Sequence, residues 1–216
     1  MLPINVMYDS GVDDLEVEAI SAALKELNEL FPVLKIRVFG KGAWGQGTYS
    51  SADWYVENTP TLRYLNGSPQ LEANYLLDLI ENEPWQSQEP HIDVAIVSRD
   101  ITARDGEQLL NFVFGIANGR ITLQSVFRYR ELSNGDRFKA VKAVILHELG
   151  HIFGAAADLN RSNTEYNIGA HCTNHGCVMR QGLSVPVWVA HAWDTYWEPH
   201  PYCPQCMADI RRTLAL

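Results

Sequence analysis

Ile4, Val6 and Tyr8 alternate with Asn5, Met7 and Asp9, a period of two that predicts a short opening strand. Asp13 and Asp14 then offer a helix start. Ile20, Ala23, Leu24, Leu27, Leu30 and Phe31 recur at helical spacing until Pro32 ends the run. Leu34, Ile36 and Val38 predict a second strand, whereas the glycine-, serine- and aromatic-rich stretch from Gly40 to Pro69 shows no period and reads as an irregular insertion. Leu71, Tyr75, Leu76, Leu79 and Ile80 predict a helix from Gln70 to Glu83, stopped by Pro84. The run from Ile92 to Val97 is apolar enough for a strand buried on both faces. Two further strands, Asn111–Ala117 and Ile121–Arg128, are joined through Asn118-Gly119, a strong signal for an antiparallel hairpin. After an Asn134-Gly135-Asp136 turn and N-cap, Phe138, Val141, Ile145, Leu149 and Ile152 form one face of a helix from Arg137 to Phe153. Gly154 stands where a left-handed residue would end that helix. Regular patterning then fades, apart from a final helix at Met207–Leu214. The chain therefore reads as an α/β unit over residues 1–154 and a small irregular C-terminal subdomain over 155–216.

Composition narrows the function more than the fold. The 216 residues are 46% hydrophobic and 20% charged, which is globular, and long enough for a packed core. Seventeen basic against 26 acidic residues leave a net charge of −9, without the basic footprint that nucleic-acid binding needs. No apolar run reaches membrane-spanning length, so no membrane partner is expected. The opening MLPINVMYDS lacks a basic and apolar leader pattern, so the expected compartment is cytoplasmic, with no pro-segment before the first strand.

All four cysteines fall late, as Cys172-x4-Cys177 and Cys203-x2-Cys206. Two short-spaced thiol pairs in a reducing compartment suit a tetrahedral zinc ion, the plainer reading being buried free thiols or a redox pair. Within the long helix stands His147-Glu148-Leu149-Gly150-His151. Residues four apart differ by about 40° around the axis and about 6 Å along it, so both imidazoles project from one face and can share an ion. Glu148 lies about 100° further round and is placed to take a proton from water on that ion. The plain alternative is two surface histidines paired to Glu148. A catalytic zinc needs a third protein ligand, and the downstream candidates are Asp158, Glu165, His171 and His175.

His147, Glu148, His151, Gly154 and the later Met179 together resemble the metzincin pattern. More closely, His171-Cys172-x4-Cys177-Val178-Met179 followed by Cys203-x2-Cys206 resembles the extended signature of archaemetzincins, and Asn111–Ala117 resembles that family's segment before its last strand. The resemblance implies a metzincin-like zincin fold of mixed α/β class: a twisted sheet with backing helices and one antiparallel edge strand, here Asn111–Ala117, along a substrate cleft. It implies two zinc ions per chain, one catalytic on His147, His151 and His171, the other structural on Cys172, Cys177, Cys203 and Cys206. Met179 would form the apolar floor of the Met-turn, and Glu148 would be the base of a zinc-dependent metallopeptidase acting on peptides or proteins. Trp188, Trp193, Tyr196, Trp197 and Tyr202 would wall a specificity pocket or fill a core short of aliphatics.

The chain departs from that pattern in two places, one of them a gap from Met179 to Cys203 longer than the family's usual spacing. The family's third histidine follows the glycine after two residues, whereas here that position is Ala157 and His171 arrives only after Ala155–Ala170. A loop of this length costs roughly 2 kcal/mol more to close than a short one. Asp158, one residue beyond the family position, competes with His171; the junction His171-Cys172 beside a rigid thiol knot favours the histidine. Two other classes fit parts of the pattern: a zinc-stabilised peptide- or protein-binding protein without turnover, and a nucleic-acid-binding zinc ribbon, which the charge disfavours.

Overall fold

A computed structural model describes residues 2–42 and 51–216. In chain order these form β1 (Ile4–Tyr8), α1 (Asp14–Leu30), β2 (Ile36–Gly40), α2 (Ala52–Asn58), β3 (Thr61–Leu65), β4 (Ser68–Glu72), α3 (Ala73–Glu81), α4 (Pro84–Gln88) and β5 (Ile92–Val97). There follow β6 (Asp100–Thr102), β7 (Arg104–Asp105), β8 (Gln108–Leu109), β9 (Gly115–Asn118), β10 (Ile121–Ser125), a 3₁₀ turn (Phe127–Tyr129) and α5 (Asn134–Ile152). After α5 come β11 (Thr164–Tyr166), β12 (Ala170–Cys172), α6 (Val185–Tyr196) and α7 (Pro204–Leu214).

Five strands make the main sheet in the order β2-β1-β5-β10-β9. The first four are parallel, with Ile4 opposite both Ile36 and Ile92 and with Ile121 opposite Asp93. β9 alone runs antiparallel, Thr122 facing Ala117, and closes the hairpin that Asn118-Gly119 signalled. All six residues of β5 are buried, because both faces of the sheet are covered. On one face Ile4, Val6, Val94 and Ile96 pack with α1 and α5; on the other Met7, Ala95, Val97 and Leu123 pack with α2 and α3. The first of these cores runs on past Gly154 to take in Met179, Trp188, Tyr202 and Ile210.

Side chains fix the helix ends. Asp13 accepts the Glu16 N–H at 3.0 Å while the Glu16 carboxylate accepts the Asp13 N–H at 2.9 Å, a reciprocal cap on α1. The same buried carboxylate takes Arg130 at 3.0 and 3.1 Å, tying α1 to the segment entering α5. At the other end of α5, Gly154 has φ +73°. Its N–H returns to the His151 carbonyl at 3.0 Å, and the Ala155 N–H returns to Gly150 at 2.8 Å. This paired return is the Schellman arrangement, which turns the chain sharply off the helix.

Tertiary pairing shifts several expected boundaries. The segment expected to be helical from Gln70 begins as β4, because Gln70, Leu71 and Glu72 pair in parallel with Asp100, Ile101 and Thr102 in a second small sheet, β3-β4-β6. Part of the supposed irregular insertion is therefore ordered as α2 and β3, while residues 43–50 of it lie outside the described residues. Of the expected edge strand only residues 115–117 are regularly paired, β9 running on to Asn118, and the strand from Ile121 yields to the 3₁₀ turn after Ser125. The N-cap of α5 is Ser133 rather than the Asn134-Gly135-Asp136 turn. The C-terminal stretch holds an unexpected twelve-residue helix, α6, and α7 starts at Pro204 rather than Met207. Aromatic and valine residues on several sides of α6 hide its period, yet it packs on α5, with Trp188 Nε1 donating to the Ala140 carbonyl at 3.1 Å. Among the described residues no helix is long and apolar enough to cross a membrane.

Glu16→Ala removes the reciprocal cap and the buried partner of Arg130 together. It is expected to lower unfolding stability by about 3 kcal/mol, measured by urea denaturation, whereas Glu29→Ala, which breaks an exposed pair with Lys25, should change it by less than about 0.5 kcal/mol.

Candidate metal and catalytic site

The last two turns of α5 carry His147 and His151 on one face, with their Nε2 atoms 3.1 Å apart. β12 brings His171 to the same point, its ring centre 5.2 Å from that of His147 and 5.0 Å from that of His151. One nitrogen from each ring lies within 4.8 Å of the others. The far nitrogens are tied to backbone: His147 Nδ1 meets the Val178 carbonyl at 2.7 Å and His171 Nδ1 the Gly169 carbonyl at 3.1 Å. Because a carbonyl only accepts, these Nδ1 atoms carry the protons and the Nε2 lone pairs face inward. Burial, reinforced by the neighbouring imidazoles, holds the pKa of His147 well below the usual histidine range. His151 is lowered to about 3 by burial and by His171, and burial also lowers His171. Three neutral donors converging on one buried point fit a divalent cation, with zinc the natural match for an all-imidazole set.

The other candidates for the third ligand lie outside this group. Asp158 is exposed and its carboxylate accepts the Asn160 N–H at 3.0 Å. Glu165 is exposed on β11 opposite His171, and His175, 75% exposed, pairs with Asp194 at 3.1 Å. The long excursion after Gly154 folds as the β11–β12 hairpin, whose returning strand delivers His171.

Glu148 is buried beside the histidines, and burial raises its pKa to about 8. The room for it is made by Gly115 of β9: a Cβ there would lie 2.7 Å from Glu148 Cδ and overlap the carboxylate. Met179 is fully buried beneath the histidine turn, where a Cβ on Gly150 would overlap its sulfur and lie 3.0 Å from the Tyr202 ring. Neither glycine stood out in the sequence as part of the site, although a glycine inside the Phe112-Val113-Phe114-Gly115-Ile116 run is the pattern of a close backbone approach.

Cys172, Cys177, Cys203 and Cys206 form a second group with their sulfurs within 4.8 Å, none of them in a disulfide. Cys172 and Cys203 lie 3.7 Å apart. Hydrogen bonds from the neighbouring thiols pull the pKa of Cys172 down to about 7 and that of Cys203 lower still, while Cys177 and Cys206 are pushed up. Backbone N–H groups of Asn174 and Cys203 donate to Cys172 and Cys177, each at 3.4 Å. Two side chains of the excursion, not anticipated from the sequence, join them: Arg161 donates to Cys206 Sγ at 3.5 Å and Asn163 to Cys172 Sγ at 3.6 Å. Crowded sulfurs ringed by donors suit tetrahedral thiolate ligation.

The three histidines and Glu148 open onto a cleft of about 630 Å³. β9, the unpaired edge of the main sheet, forms one wall through Gly115, Ile116 and Ala117; Tyr166, Ile168 and Leu183 line it as well. The aromatic residues of the C-terminal stretch divide. Tyr202 and Trp188 are buried in the core, and Trp188 also reaches the cleft, its ring 5.3 Å from His147. Trp193, Tyr196 and Trp197 instead cluster on α6, where Lys139 Nζ sits 3.9 Å from the Trp193 ring centre; none of these three lines the cleft.

No family model matches the chain. Over 152 residues it is 28% identical to an archaemetzincin of Nanoarchaeum equitans, a stretch covering 70% of this chain and 68% of that one. Over 117 residues it is 32% identical to an archaemetzincin of Thermococcus kodakarensis, covering 50% and 51% respectively. The crystal structure of archaemetzincin from Methanopyrus kandleri shares the fold with a TM-score of 0.65 at 20% identity, covering 100% of this chain and 96% of that one. That of archaemetzincin from Archaeoglobus fulgidus, complexed with malonate, gives 0.59 at 21%, covering 96% and 99%. The mixed α/β class read from the sequence is thus the class these structures display, and the protein is archaemetzincin-like.

Proposed function

We propose that this protein is a zinc-dependent metallopeptidase. The observation that carries this reading is the convergence of His147, His151 and His171 on one point of the cleft, with the Glu148 carboxylate beside them. The likeness is to a family of zinc metallopeptidases, which supports it. His147, His151 and His171 would hold the zinc ion, which would supply Lewis acidity toward a scissile carbonyl and the attacking water. In its ionised form Glu148 accepts a proton from that water and returns it to the leaving amine. The free edge of β9 offers N–H and C=O groups to an extended substrate, which adds as another strand and so holds its scissile bond over the histidines. Met179 and Gly150 keep the histidine turn pressed against its floor.

In the same reading the four cysteines hold a second, structural zinc, which contributes on the order of 10 kcal/mol to ordering a segment poor in aliphatic core. Residues 1–154 and 155–216 then act as two subdomains meeting at the cleft. A thiolate site of this kind suits a reducing compartment, so the cytoplasm is the proposed location.

Elemental analysis is expected to find two zinc ions per chain. His171→Ala should lose one of them and Asp158→Ala neither, while Cys203→Ser should lose the other and impair folding. A zinc count unchanged by His171→Ala would remove the catalytic set.

Glu148→Gln should retain both ions and lower cleavage of a peptide library by about 10²- to 10⁴-fold in a mass-spectrometric assay. Gly115→Ala, which forces the Glu148 carboxylate aside, should lower it by about 10²-fold with zinc retained. A zinc-loaded protein that cleaves nothing in such a library would instead be a zinc-stabilised binding protein.

A further inference from the structure

The excursion between Gly154 and His171 is the part of the chain that the archaemetzincin pattern leaves without a task. It is fastened at both ends. At its base Arg161 pairs with Asp209 at 2.7 Å and donates to Cys206, while Asn163 donates to Cys172 and accepts the Thr173 N–H at 2.9 Å. At its tip the Asn167 carbonyl accepts Gln181 Nε2 at 3.0 Å, joining the hairpin to the segment just beyond Met179.

What the tip displays is apolar. Tyr166 is 73% exposed, Ile168 42% and, across the hydrogen bond to Gln181, Leu183 55%, and all three line the cleft. Ile168 also has φ +51°, in the left-handed region where a β-branched residue is an outlier. Such strain costs of order 1–3 kcal/mol and clusters where a ligand is gripped. Gly169, the next residue, supplies the carbonyl that orients His171, so the strained position stands three residues before that histidine.

We propose that the inserted hairpin is the specificity wall of the cleft. Tyr166 and Ile168, with Leu183, form an apolar subsite that selects a bulky apolar side chain, such as leucine or phenylalanine, next to the scissile bond of an extended peptide. The β9 edge engages the peptide backbone irrespective of its sequence, and the hairpin reads one side chain. This rests on the peptidase reading above, and it accounts for an apolar surface placed in the cleft and held by the thiol group behind it.

The test compares two zinc-loaded proteins, the wild type and Tyr166→Ala/Ile168→Asn, the asparagine being suited to a positive φ. Peptide sets vary one position at a time around the cleavage site. Wild type is expected to prefer leucine over alanine at one flanking position by at least about tenfold in kcat/KM, and the double variant to lose that ratio while keeping two zinc ions. A second variant, Ile168→Asp, should raise the relative rate on lysine-bearing peptides at the same position. An unaltered ratio in the double variant, or an unaltered profile in Ile168→Asp, would overturn the proposal. Calorimetric binding of the same peptides to Glu148→Gln protein, with and without the hairpin substitutions, separates this idea from the catalytic one. If nothing is cleaved but leucine peptides bind more tightly only with the hairpin intact, the subsite stands and the peptidase reading falls. Equal affinities with and without the hairpin substitutions would end the subsite.

Discussion

The 2.7 Å hydrogen bond from His147 Nδ1 to the Val178 carbonyl joins a helix from the first part of the chain to a loop from the last. It sets the tautomer and the plane of the ring, and so decides where the Nε2 lone pair points. Val178 is itself held between Cys177 and Met179, with its N–H on the Pro201 carbonyl at 2.7 Å, and Met179 receives the Cys172 N–H at 2.9 Å. Helix, methionine loop, thiol group and the strand bearing His171 therefore meet through one imidazole–carbonyl and two backbone hydrogen bonds. A displacement of any one of them moves a ring nitrogen.

This explains why small residues recur at the centre of the site. Gly150 lets α5 settle on Met179, and Gly115 lets the sheet edge approach Glu148. Each removes a side chain where a buried side chain of another element must lie against the backbone, and each is a requirement imposed by a distant part of the chain. The excursion of residues 155–170 is tolerated for the opposite reason. It leaves from a sharp helix end at Gly154 and returns through β12, so its length adds loop entropy without disturbing either anchor.

Local chemistry made much of this visible in the sequence. The spacing of His147 and His151 is a property of helix geometry alone, and the hairpin at Asn118-Gly119 follows from the turn that dipeptide adopts. The pairing of Cys172, Cys177, Cys203 and Cys206 is likewise written in short intervals. What escaped depends on partners far away. Gln70, Leu71 and Glu72 have helical neighbours and become strand because β3 and Asp100–Thr102 lie on either side. Trp188 and the rest of α6 are apolar on several sides, so no stripe marks the helix until α5 is in place to bury one of them. In the sequence only the adjacency to Cys172 favours His171 over Asp158; that His171 lies with His147 and His151 depends on the register of a hairpin that the sequence did not announce.

That adjacency has a further meaning. Consecutive residues of a strand project to opposite sides, so β12 turns His171 toward the cleft and Cys172 away from it. The strand is a partition one peptide thick, with imidazole chemistry on one side and sulfur chemistry on the other. The soft, oxidisable sulfurs are thereby screened from whatever enters the cleft, which no cysteine lines.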